Sequence, residues 1–218
     1  MLPDHKKLKS LPIKNAQIEA TIFYFSYTVE FHHLNVTGKF DKAALLVDET
    51  ERGLKKYKSI INNNRYMALA YSIAYACFGN KQYSDAIEWI KKILNDVKTD
   101  IRVDFYACAY LLWIISHIEK GNYDSALYLS KSTPVFREKD KFLYKIENVF
   151  INFVITELSK KSSSKQIREA FKELKSKIDA LLIEPTERQI LAYIDFPAWI
   201  DSKIEKRAFG EMVSERVK

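Results

Sequence analysis

Between residues 16 and 182 the chain alternates two kinds of helical pattern. One kind is apolar on nearly every side and rich in aromatic residues, as over residues 22–34, 66–78, 105–118 and 142–158. The other is apolar on one face and charged on the opposite face, as in Ala86-Ile87-Glu88-Trp89-Ile90-Lys91-Lys92-Ile93-Leu94. A helix apolar all round has to be buried on two sides, which stacking between neighbours provides. The pattern therefore predicts helical hairpins, each an all-round apolar helix followed by an amphipathic one.

The link between the two helices recurs. It reads Gly38-Lys39-Phe40-Asp41-Lys42-Ala43, then Lys81-Gln82-Tyr83-Ser84-Asp85-Ala86, then Gly121-Asn122-Tyr123-Asp124-Ser125-Ala126. Its aromatic residues, Phe40, Tyr83 and Tyr123, stand 43 and 40 residues apart. A weaker fourth copy, Ile167-Arg168-Glu169-Ala170, follows 44 residues after Tyr123, behind a Ser162-Ser163-Ser164 loop. Glycine just past a helix supplies the left-handed turn that ends it. An Asn or Asp near the next helix start caps or favours its free N–H groups. The aromatic is expected to wedge between the helices, and the alanine three residues on lets them approach closely.

These junctions resemble the tetratricopeptide (TPR) repeat, whose second helix opens on a Gly-Asp-Tyr-x-x-Ala-like link. The best match is Ala70, Ile73, Ala74, Cys77, Tyr83, Ala86, Ile90 and Ile93, at the family's packing positions. The likeness covers residues 16–182, with a period of 40–44 residues where the family has about 34. It also lacks the proline usual after the second helix, so other α-hairpin repeats fit as well. The resemblance implies an all-α fold: an α-solenoid of about four antiparallel hairpins (16–62, 63–98, 99–136 and 137–182). A linker over 1–15 precedes it. Residues 183–218 are expected to cap it, starting a helix at Pro185 and breaking it at Asp195-Phe196-Pro197. The stretch 193–200 resembles the C-terminal end of larger, uncharacterised bacterial repeat proteins. With no comparable cap ahead of residue 16, the chain reads as the C-terminal part of a longer array.

Composition agrees with this class. Five glycines and five prolines in 218 residues are too few for the turns of a β-sandwich. Cys77 and Cys108 each sit in an apolar helical stretch, the usage of a reduced compartment and hence of a cytoplasmic protein. The apolar run near the N-terminus, residues 20–29, is too short to span a bilayer. Phosphate loops, Gly-x-Ser-x-Gly elbows and zinc helices are all missing, so the chain reads as non-catalytic, without metal or cofactor. His32 and His33 are adjacent and point about 100° apart, a poor chelate.

In TPR proteins one stripe of the first helices lines a concave, peptide-binding face. The matching positions are Thr28 and His32, Tyr71 and Tyr75, and Leu111 and Ile115; the Lys/Asn/Arg set that clamps a carboxylate tail is not there. Lys145, Asn148 and Asn152 form a polar stripe on the fourth first-helix. Tyr71, Tyr75, Lys145, Asn148 and Asn152 are thus the expected binding residues, for a partly apolar peptide or partner domain. The expected function is a protein-interaction scaffold. The alternative is nucleic-acid binding through the +7 net charge, with Lys55-Lys56-Tyr57-Lys58 and Lys160, Lys161, Lys165 and Arg168 as the basic stretches.

Overall fold

The computed structural model describes residues 15–95, 103–132, 144–158 and 163–216, where all regular structure is helical. The chain is all-α, as expected. The first two pattern pairs give α1 (Ala16–Val36), α2 (Phe40–Ala44), α3 (Val47–Lys56), α4 (Asn63–Gly79) and α5 (Tyr83–Asn95). Next come α6 (Val103–Glu119), α7 (Tyr123–Ser132) and α8 (Lys145–Phe153), the last running into a π-helical turn (Val154–Leu158). Then follow α9 (Ser164–Leu181), α10 (Pro185–Arg188) with a 3-10 turn (Gln189–Ala192), α11 (Phe196–Glu205) and α12 (Phe209–Arg216). Residues 1–14 of the expected linker and 142–143 of the expected fourth helix lie outside the described residues.

Side-chain caps start the longer helices. The Asn15 carboxamide oxygen accepts from the N–H groups of Gln17 and Ile18, and that of Asn62 accepts from Arg65. Ser163 and Gln166 form a capping box on α9. Between the helices of the first three hairpins the same backbone turn recurs. The N–H of Lys39 donates to Leu34 O, that of Gln82 to Cys77 O, and that of Asn122 to His117 O, at 2.8–2.9 Å. The residue before each is left-handed: Gly38 at φ 69°, Lys81 at 62° and Gly121 at 78°. The longer period has a simple source. α4 and α6 are 17 residues each, and α5 adds 13.

Ala43, Ala86 and Ala126 are fully buried, as the close approach of paired helices demands. The aromatics behave unequally. Phe40 is buried and Tyr83 half-buried, but Tyr123 stays 50% exposed and does not act as a wedge. The fourth copy departs further, since Ala170 is only half-buried and Phe171 takes the core position. Helices close in sequence pack together: α1 on α4, α4 on α5, α5 on α6 and α6 on α7, then α8 on α9.

In the C-terminal segment Phe196, Ala198, Trp199 and Ile200 are buried core residues, while Glu205, Lys206 and Arg207 are exposed. α11 packs on α9 and α12 folds back on α11 through a second left-handed lysine, Lys206 at φ 58°. α12 then covers the first junction. Ser214 Oγ donates to Thr37 O at 3.0 Å, and Phe209 stacks on Phe40 at 5.3 Å. This cover accounts for the buried Phe40, whereas at the third junction a Cβ at Gly121 would meet nothing within 4 Å among the described residues.

Gly38 and Gly121 thus share a backbone conformation but not surroundings, since a Cβ at Gly38 would collide with Gly210 O and Ser214 Oγ. Gly121→Ala should cost the left-handed strain alone, about 1–2 kcal/mol. Gly38→Ala should lose about 1–3 kcal/mol more by overpacking. Urea denaturation of both variants checks this, and equal losses would mean that α12 does not close on the junction.

Candidate functional site

Tyr71 and Tyr75 lie one turn apart on α4, which sets their rings nearly parallel, 6.5 Å between centroids. They were expected to line an open groove; instead both are buried, under residues of the chain's own C-terminal segment. The Tyr71 hydroxyl donates to Tyr193 O at 3.1 Å, and the Asp195 N–H donates to the Tyr75 hydroxyl at 3.2 Å. The two phenols grip the backbone on either side of Ile194, whose side chain is fully buried. Tyr193 packs edge-on against Tyr71 and Phe105. Burial pushes both phenols well above their ordinary pKa, so they stay protonated. A cleft of about 190 Å³, lined in part by His32, Asn35, Leu191 and Val213, is left beside them.

A second anchor lies at the end of α6. The Glu119 carboxylate accepts from the Trp199 indole N–H at 2.7 Å and from Lys203 Nζ at 2.6 Å, with the Tyr83 hydroxyl 3.5 Å away. Trp199 and Lys203 are one turn apart on α11, so a single carboxylate reads both. The helix end adds to its pull, because unpaired carbonyls make a C-terminus partly negative. Burial and then the Glu119 charge push Tyr83 up to about 12. A third anchor is the Phe209 ring, set among Phe40, Tyr75 and Phe78 at 5.3–6.0 Å.

The remaining expected binding residues do not join this site. Lys145 Nζ pairs with Glu184 at 2.7 Å, and its backbone N–H, with that of Ile146, donates to the buried Glu187 carboxylate. Glu187 thereby caps α8. Asn148 and Asn152 are exposed and bond each other at 2.8 Å, and Asn152 lines a separate cleft of about 170 Å³ with Thr156, Glu173 and Lys177. Of the other groove positions, Leu111 and Ile115 are buried core residues, and Thr28 bonds the Tyr24 carbonyl of its own helix. Glu119, Trp199 and Lys203 were not foreseen. The signal for them was the run 196–200, which carries no polar face and therefore needed cover on all sides.

Other candidate chemistry resolves simply. Cys77 and Cys108 are buried and form no disulfide, and burial pushes Cys77 up to about 12, far from a reactive thiolate. His32 and His33 are exposed, and among the described residues no group of three or more His, Cys, Asp or Glu could hold a metal ion. Lys55 pairs with Glu51 and Lys56 with Glu19, while Lys160 and Lys161 lie outside the described residues. No helix among the described residues is long and apolar enough to cross a membrane.

Asp195 ties the first two anchors together. Its carboxylate caps the Ala198 N–H at 2.9 Å and lies 3.4 Å from Arg216, yet burial dominates and raises its pKa. A raised pKa means that the folded state takes up the proton before the unfolded chain does. The charge is therefore a cost near neutrality that fades as pH falls through the folded value, towards the ordinary value near 4. Asp195→Asn keeps the cap oxygen and removes the charge. Its melting temperature relative to wild type should be highest near pH 7 and decline steadily towards pH 4; a difference that grows on acidification would contradict this.

Comparison of the chain with protein-family models, curated proteins and solved structures gives no significant match.

Proposed function

We propose that the chain is a non-catalytic protein-interaction scaffold: a TPR-like α-solenoid of about four hairpins whose inner face holds a peptide or partner domain. The observation that supports this is the backbone grip of Tyr71 and Tyr75 around Ile194. Two side-chain hydroxyls that satisfy a carbonyl and an N–H two residues apart, over an apolar slot, can hold a short non-helical segment by its backbone. In the resting molecule the occupant is the chain's own residues 193–195, and a partner engages the groove in exchange for them. Two buried cysteines that form no disulfide fit a reduced compartment, the cytoplasm. Nucleic-acid binding draws less support, because carboxylates already neutralise Lys55 and Lys56.

A labelled peptide copying residues 189–207 tests the reading, titrated into the full chain carrying Lys203→Gln to loosen its own segment. Saturable binding is expected by fluorescence anisotropy. Adding Tyr71→Phe and Tyr75→Phe removes two hydrogen bonds of about 1 kcal/mol each, so affinity should fall at least tenfold with helicity unchanged. Absence of saturable binding would overturn the scaffold reading.

A further inference from the structure

We infer that the partner segment carries an indole followed four residues later by a lysine or arginine, read together by Glu119. This rests on the scaffold reading and specifies its partner. The hydrogen bonds of the tyrosine pair reach backbone only, and Tyr71 adds an edge-on contact with the Tyr193 ring, so the pair does not read the indole or the cation that follow. Selection needs a group on the array that reads side chains, and Glu119 is such a group. Its carboxylate binds an indole N–H and an ammonium presented from one helical turn, and its side chain is only 11% exposed. Loss of either donor leaves that carboxylate part-buried and under-satisfied, which is how a site rejects an analogue lacking a hydrogen-bonding group.

The cation is read by Glu119 itself, since the cleft beside it is otherwise edged by Lys81, Lys206 and Arg207. Glu119 ends α6, and α4 ends beside it at Gly79, so two partly negative helix ends face the same space. The node is also reachable. A cleft of about 450 Å³ opens onto Glu119 between Tyr83, Lys203 and Phe209, so an incoming segment can meet the carboxylate before the resident one has left. In the resident segment the spacing is set by Ile194, Trp199 and Lys203: an apolar residue in the turn before a helix, an indole five residues on, and a cation four beyond that. A trans ligand needs the same three features, the last two on a helical turn.

The test uses the full chain with Lys203→Gln and labelled peptides of residues 189–207: native, Trp199→Phe, Lys203→Gln and Lys203→Glu. The native peptide should bind at least tenfold more tightly than any altered one. In a chain that also carries Glu119→Lys the order should reverse, with the Lys203→Glu peptide preferred. Should that chain not fold, Glu119→Gln replaces it; it should weaken the native peptide about tenfold and leave the Lys203→Gln peptide unchanged. Peptides that all bind within twofold of one another would overturn the indole–cation rule and leave the scaffold reading standing. Peptides that none bind would overturn both.

Discussion

A helix apolar on every side must be covered on every side, and α4 is such a helix. Its residues 67, 69–71 and 73–78 are all buried, which leaves no face for solvent. α5 and α6 cover part of it, α1 and α2 another part, and the C-terminal segment closes what remains. Closing an apolar face with a turn between helices raises a difficulty, because the backbone of residues 193–195 brings polar groups into a dry place. A buried unpaired carbonyl or N–H costs about 1–3 kcal/mol. Tyr71 and Tyr75 answer this with hydroxyls at the ends of largely apolar rings. The same need for cover that shapes the core therefore puts tyrosine, and not phenylalanine, at these two positions.

What could be read from the sequence was local. The hairpin links, the buried alanines and the buried cysteines depend on contacts within about 45 residues, so their signals lie close together along the chain. The anchors of the C-terminal segment join residues far apart, as in Tyr71 with Tyr193 and Glu119 with Trp199, and no periodicity carries that information. The stripe 145, 148 and 152 shows the limit of spacing arguments. Three polar residues on one helical stripe share a face, but spacing alone does not say which face turns inward. Tyr71 and Tyr75 were expected on an open face, and the chain's own residues 193–195 cover them.

The two left-handed lysines follow from local demands as well. Lys81 and Lys206 take the position that glycine fills at 38 and 121, a strained choice for any residue with a Cβ. Each lies just past a helix end, where a cation is favoured by the unpaired carbonyls. The first falls in register with the two glycines when the junctions are aligned. The second lies in a turn with an extra residue before its aromatic, so the repeat pattern passes over it.

The order in which the chain is made bears on the groove. Proteins generally assemble from their N-terminal parts while synthesis continues. Hairpins α4–α5 and α6–α7 rely on near neighbours and can form as they emerge, but the contacts that close over them span 122 residues at Tyr193 and 177 at Ser214. Contacts of that reach are slow to form and come last. The nascent molecule accordingly passes through a stage in which Tyr71 and Tyr75 have been made but the segment that covers them has not.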